Sequence, residues 1–190
     1  MAEKRAAILA AARPIFLQAG WSGASLERVA AESGISKMTI YRHFRSKEEL
    51  FEALITSMCQ YMRAEAAQAP AQNMKWSLED RLRAEALAFT AELVQPEALG
   101  IYRLIVADGW RYPVLARMFE QSGSAVLRSR VSAMLAALGK TPRECARRAS
   151  GFVNLAFGDA YLEAAIGLEV PDISARFAEQ IEDAIRFAVA

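Results

Sequence analysis

The feature that most constrains this chain is the spacing of its apolar residues. They recur at steps of three and four almost from end to end, and no segment sustains the alternation of a strand. That spacing gives each helix one apolar stripe, and such helices bury their stripes only against one another. The sequence therefore predicts an all-α fold of about nine helices. With 190 residues, 54% hydrophobic and 24% charged, the chain is long enough to bury a core and too apolar for disorder. No interval reaches the roughly 18 uninterrupted apolar residues of a membrane span. A soluble, cytoplasmic protein with no membrane partner is expected.

Caps and breakers divide the helices. Ile8, Ala12, Ile15, Phe16 and Ala19 share a stripe that should stop at Gly20, with Pro14 inside it at a cost of about 3 kcal/mol or a bend. Ser25 can cap a short helix with Leu26, Val29 and Ala30 inward and Gly34 at its end. Ser36 can cap another that turns Ile40 and Phe44 to the same core. Ser46 and Glu49 form a capping box that opens a longer helix carrying Leu50, Leu54 and Met58. Two short helices across a Gly-containing turn are the pattern of a helix-turn-helix. From about Ala64 to Lys75 the composition shifts to Ala, Gln, Asn and Pro, with Pro70 as breaker, and a second region begins.

In that region Ser77 starts a helix to about Val94, and Pro96 precedes one holding Leu99, Tyr102, Leu104, Ile105 and Val106. Tyr112-Pro113 opens a long helix through Leu115, Phe119, Val126, Val131 and Leu138, stopped by Gly139. Thr141, Pro142 and Glu144 supply N-cap, N1 proline and capping-box acid for the next, which ends at Gly167 and Pro171. The last helix carries Phe177, Ile181, Ala184, Ile185 and Ala188. The division expected is 1–56 and 57–190.

Several chemistries are excluded. His43 is the single histidine, and Cys59 and Cys145 stand far apart with no partner at metal-ligand spacing, so no metal site or disulfide framework can be assembled. There is no cysteine–histidine pair and no Gly-rich phosphate loop, hence no catalytic residue, no cofactor and no enzyme is expected. The net charge is only +1, but Lys37, Arg42, Arg45 and Lys47 fall within eleven residues that contain no acid. A short electropositive element near the N-terminus of a neutral chain suits contact with nucleic acid.

The stretch from Ser25 to Leu50, with Gly34, Tyr41, Phe44 and Lys47 at their relative spacing, resembles the DNA-binding domain of TetR/AcrR-type transcriptional regulators over about residues 5–56. The resemblance implies a three-helix helix-turn-helix head on a larger helical body that binds a ligand and dimerises. It also implies that Tyr41, His43 and Lys47 touch backbone phosphates. Ser25 and Ser36, which start their helices, would present N–H groups to phosphate as well. Base edges would fall to Lys37, Met38, Thr39 and Arg42, the positions left outward when Ile40 and Phe44 turn inward. Arg42 suits guanine, and Met38 or Thr39 suits a thymine methyl.

The body is similar to the C-terminal domain of the AefR-like branch, chiefly through the residues from Tyr102 to Ala116. Phe89, Tyr102, Val106, Trp110, Phe119, Phe152, Phe157 and Tyr161 could line an apolar cavity, with Asn154 or Asp159 to orient a ligand. A seam of small residues along 142–167 includes Val153, Ala156, Ala160 and Ala164. In the family the last two helices pair across a two-fold axis, so this seam with Phe177, Ile181 and Ile185 is the expected dimer interface. The reading is a homodimeric repressor that leaves an inverted-repeat operator on double-stranded DNA when a small apolar or amphipathic effector binds. The alternatives are a constitutive DNA binder and a helical small-molecule carrier.

Overall fold

The computed structural model describes residues 2–68 and 76–190, with side chains at 3–57, 76–121 and 123–190. In chain order the helices are α1 (Ala2–Gly23), α2 (Leu26–Ser33), α3 (Lys37–His43), α4 (Lys47–Gln68), α5 (Leu78–Leu93), α6 (Pro96–Asp108), α7 (Pro113–Ser122), α8 (Ser124–Leu135), α9 (Pro142–Ile166) and α10 (Ile173–Val189). The fold is all-α, with no strand among the described residues.

The capping chemistry legible in the sequence is present. Ser25 accepts from the Arg28 N–H at 3.1 Å, Ser36 from Thr39 at 3.2 Å, Ser77 from Asp80 at 3.0 Å and Thr141 from Glu144 at 3.3 Å. Ser46 accepts from the Glu49 N–H, while the Glu49 carboxylate reaches back to the Arg45 N–H at 2.8 Å. Gly34, Gly139 and Gly167 close their helices in the left-handed conformation.

Three boundaries differ from expectation. Pro14 sits exposed inside α1, and the departure from helical geometry comes instead at Gly20, where φ is 66° and the chain resumes for one further turn to Gly23. The single helix expected from Pro113 toward Gly139 is broken at Gly123 (φ −104°, ψ −106°) into α7 and α8. Glu120 spans that break, accepting from Ser124 Oγ at 2.8 Å and pairing with Arg128. Helix α4 runs through Ala64 to Gln68; Pro70 and the rest of the stretch to Lys75 lie outside the described residues, as do the side chains of Met58 and Cys59.

The chain packs as two compact units, Met1–Met58 with Gly100–Phe119, and Cys59–Leu99 with Glu120–Ala190. In the first, Ile8, Ala12, Ile15, Phe16, Val29, Ile40, Phe44, Leu50, Phe51 and Leu54 form a fully buried core. The segment 100–119 belongs with this head, across the simple division at 56. Asp108 accepts from the Trp21 N–H at 2.9 Å, the Trp21 and Tyr112 rings lie 5.8 Å apart, and a Cβ at Gly100 would sit 2.7 Å from Leu17 Cδ2.

The second unit packs α5, α8, α9 and α10 around Leu82, Ala86, Leu127, Val131, Phe152, Ala156, Ala160 and Ile181. Arg83 grips Glu182 through two hydrogen bonds (2.5 and 3.0 Å), tying α5 to α10, and Arg176 grips Glu163 (2.5 and 3.2 Å) at the α9–α10 corner. Arg148 donates to the carbonyls of Phe187 and Ala188, satisfying acceptors at the end of α10.

Candidate functional site

Helix α3 has a committed inner face and a free outer one. Ile40 and the following Phe44 are wholly buried, whereas Lys37, Met38, Tyr41 and Arg42 are exposed, Met38 to 83%. Thr39 is half-buried, its hydroxyl 2.8 Å from that of Ser36, which fixes the first turn. The outer face thus carries two cations, a thioether and a phenol, with the cap hydroxyl of Ser36 at its N-terminal end. Such a set suits phosphates and major-groove edges.

Tyr41 is already engaged: its hydroxyl donates to the Glu27 carboxylate on α2. That hydrogen bond, above all other causes, holds the Glu27 carboxyl below its usual range and pushes the Tyr41 phenol above its own. Glu27 is a site residue that sequence reasoning missed, because nothing in local patterning pairs one helix surface with a residue fourteen positions on.

Two residues expected at phosphates have particular surroundings inside the head. Lys47 Nζ donates to the Trp21 carbonyl at 2.8 Å and lies 4.5 Å from the Trp21 ring centroid, so one of its three N–H groups ties α4 to the end of α1. His43 is half-buried, and its Nε2 is out of solvent and without a hydrogen bond among the described residues, so that nitrogen is not offered to a duplex.

The side chains expected around a ligand are divided between the two units. Phe89 stacks on Phe157 (5.7 Å, 8°) and Phe157 meets Tyr161 at 5.8 Å, all in the second unit. Tyr102 meets Phe119 at 6.1 Å in the first. Phe152 is wholly core, while Val106, Trp110 and Asn154 are exposed, Trp110 to 77% with its indole N–H on the Ala107 carbonyl. A surface groove of about 540 Å³ beside α8 and α9 is lined by other residues, among them Arg128, Ser129, Lys140 and Cys145. Sequence reasoning also missed Glu85, a wholly buried acid on α5 that pairs with Arg130 of α8 at 3.0 Å.

The expected interface set needs correction in the same way. Val153, Ala156, Ala160, Phe177, Ile181 and Ile185 are all buried within the single chain, and Ala164 is half-buried. Small side chains along α9 let α10 approach closely, so the seam is internal packing. The large apolar residues that α9 turns outward are Leu155, Leu162 and Ile166, with Leu168 just beyond its end.

Comparison with known proteins adds to this geometry. Residues 8–54 match the family model described as bacterial regulatory proteins, tetR family, and residues 80–190 that described as the AefR-like transcriptional repressor, C-terminal domain. The HTH-type transcriptional activator FasR of Mycolicibacterium smegmatis is 32% identical over 110 residues, 57% of this chain and 48% of that protein. The HTH-type transcriptional repressor BepR of Brucella suis is 39% identical over 54 residues, 28% of this chain and 26% of that one. The chain thus aligns with about half or less of the length of these curated relatives. Among solved structures, the flavonoid-responsive regulator FrrA superposes with a TM-score of 0.80 at 26% identity, covering 100% of this chain and 96% of its own. A TetR-family transcriptional regulator from Streptomyces coelicolor gives 0.73 at 21% identity, covering 100% and 98%, which speaks for the fold.

Proposed function

This chain belongs to the TetR family of bacterial regulatory proteins, a family of transcriptional regulators and not of enzymes, and on that premise we propose that it is a homodimeric repressor that leaves an inverted-repeat operator when a small molecule binds its helical body. The observation that carries the DNA half of this reading is the division of α3 into a buried side at Ile40 and an exposed side at Lys37, Met38 and Arg42. A helix so divided enters a major groove with its outer residues at base edges. Lys37, Met38, Thr39 and Arg42 read bases, while Tyr41 and the starts of α2 and α3 at Ser25 and Ser36 position phosphates. Two copies then address half-sites about one helical turn apart.

Repression is supported by the description of the C-terminal model as that of a repressor. An aromatic effector is supported by the flavonoid response named for FrrA and by the rings of Phe89, Phe157 and Tyr161. The effector acts only through unequal affinity for the DNA-competent and released forms, and a tenfold loss of operator binding needs about 1.4 kcal/mol of that difference. The site of action is the cytoplasm, where the operator is. The test is a gel shift with DNA from upstream of the protein's own gene, with and without an added flavonoid. Retardation that the flavonoid reverses supports the reading; a complex indifferent to it favours constitutive binding, and no complex removes the DNA role.

A further inference from the structure

Glu85 is a buried acid that packing alone does not explain. It is 0% exposed on α5, its ionic partner is Arg130 Nη1 at 3.0 Å, and neither carboxylate oxygen makes a hydrogen bond of sound geometry among the described residues. An ionised carboxylate has room for about four donors. A buried ion pair whose remaining lone pairs stay empty is no more stabilising than an apolar pair of the same volume. Burial accordingly pushes the Glu85 carboxyl up, against the pull of Arg130. A group held in this way marks a place where a further donor belongs.

Its surroundings say what kind of donor. One helical turn further along the same buried face of α5 is Phe89, stacked nearly parallel on Phe157, which in turn meets Tyr161. Phe157 precedes Gly158, where α9 leaves helical geometry (φ 45°) and where a Cβ would lie 2.6 Å from Gln180 of α10. With its amide turned to suit both groups, Gln180 donates to the Phe157 carbonyl at 3.2 Å and accepts from the Asp159 N–H at 3.3 Å. The Phe157 ring therefore stands at an interruption in α9 that a side chain bridges in place of the helical ladder. Planar rings one helical turn from an under-satisfied acceptor are the elements that recognise an aromatic molecule bearing a polar hydrogen. Arg130 already balances the carboxylate's charge, so the missing partner is neutral: a phenolic hydroxyl and not an ammonium.

We propose that Glu85 is the hydrogen-bond acceptor for the hydroxyl of an aromatic effector seated against Phe89, Phe157 and Tyr161. This rests on the reading of the body as a small-molecule receptor and names the chemistry it selects. The test is calorimetric binding of 2-naphthol, 2-methoxynaphthalene and 2-naphthylmethylammonium to the full chain, in the wild type, Glu85→Gln and Glu85→Leu. The wild type should prefer 2-naphthol to its methyl ether by about tenfold or more, the cost of leaving a buried acceptor unpaired. That preference should shrink in Glu85→Gln, which keeps one acceptor oxygen, and vanish in Glu85→Leu; should the Leu variant not fold, the Gln variant carries the test. Equal binding of 2-naphthol and its ether, unchanged in Glu85→Gln, overturns the role of Glu85 and leaves the receptor reading standing. Tighter binding of the ammonium overturns the neutral donor, and binding of none of the three overturns the aromatic receptor together with this proposal.

Discussion

The backbone N–H of Trp21 donates to Oδ2 of Asp108 at 2.9 Å, joining residues 87 apart in sequence within one compact unit. The break at Gly20 frees that N–H, and the last residue of α6 takes it. Trp21 is otherwise enclosed by Phe16, Phe51 and Tyr112, with ring centroids at 5.9, 5.4 and 5.8 Å. Helix α6 is thereby tied to the same small core that orients α3. Asp108→Ala should lower stability by about 1–3 kcal/mol, the range for a part-buried donor left without its acceptor, and Asp108→Asn by less, since its amide oxygen still accepts. Urea denaturation measures both; an unchanged midpoint in Asp108→Ala would show that the link carries no weight.

Lys47 should behave as part of the fold. Its ammonium holds the Trp21 carbonyl and lies over the Trp21 ring. Lys47→Ala should lower the unfolding midpoint and leave the salt dependence of DNA binding unchanged. A slope of log K against log salt that becomes less negative by about 0.9 would return this lysine to a phosphate.

Glu27 should oppose DNA binding, because it occupies the Tyr41 hydroxyl and places a negative charge where phosphate approaches. Glu27→Gln should tighten binding to operator and random duplex alike, with less gain in a Tyr41→Phe background. Since the folded-state carboxyl is held below its usual range by Tyr41, what this pair adds to stability is present above the ordinary carboxylate pKa and is lost as pH falls through the lowered value. Titration of the Glu27 carboxyl by NMR in Tyr41→Phe should show its pKa rising toward the ordinary value; no change would break the proposed link.

What the sequence made legible was local. Ser25, Gly34, Ser36, Ser77 and Thr141 act on backbone groups within a few residues, so their roles can be read without a fold. The outward face of α3 followed in the same way, once Ile40 and Phe44 were given to the core. What failed depended on the partner across space. A seam of alanines fits either a neighbour in the chain or a second chain, and here α10 fills it. Glu85 is one acid among several on α5, and only burial and Arg130 distinguish it. The helix break at Gly123 is held by Glu120, an acid that helical spacing alone treats as solvated.

Assembly can be tested by separating the two faces of the last helices. Leu162→Glu alters an exposed apolar residue of α9 and should convert a dimer to a folded monomer, whereas Ile181→Glu places an unpaired acid in the core and should unfold the body. Light scattering with circular dichroism separates the outcomes. A folded dimer in Leu162→Glu would move the interface off this face.

The most direct measurement of the central claim, that the outer face of α3 enters DNA, is the affinity of the wild type and Arg42→Ala for operator and random duplex across a range of salt. The wild type should show a steeply negative slope of log K against log salt, about −0.9 for each phosphate neutralised. Arg42→Ala should lose preference at one base pair by about 1–3 kcal/mol. A slope near zero in the wild type, or an Arg42→Ala variant that discriminates as the wild type does, would contradict it.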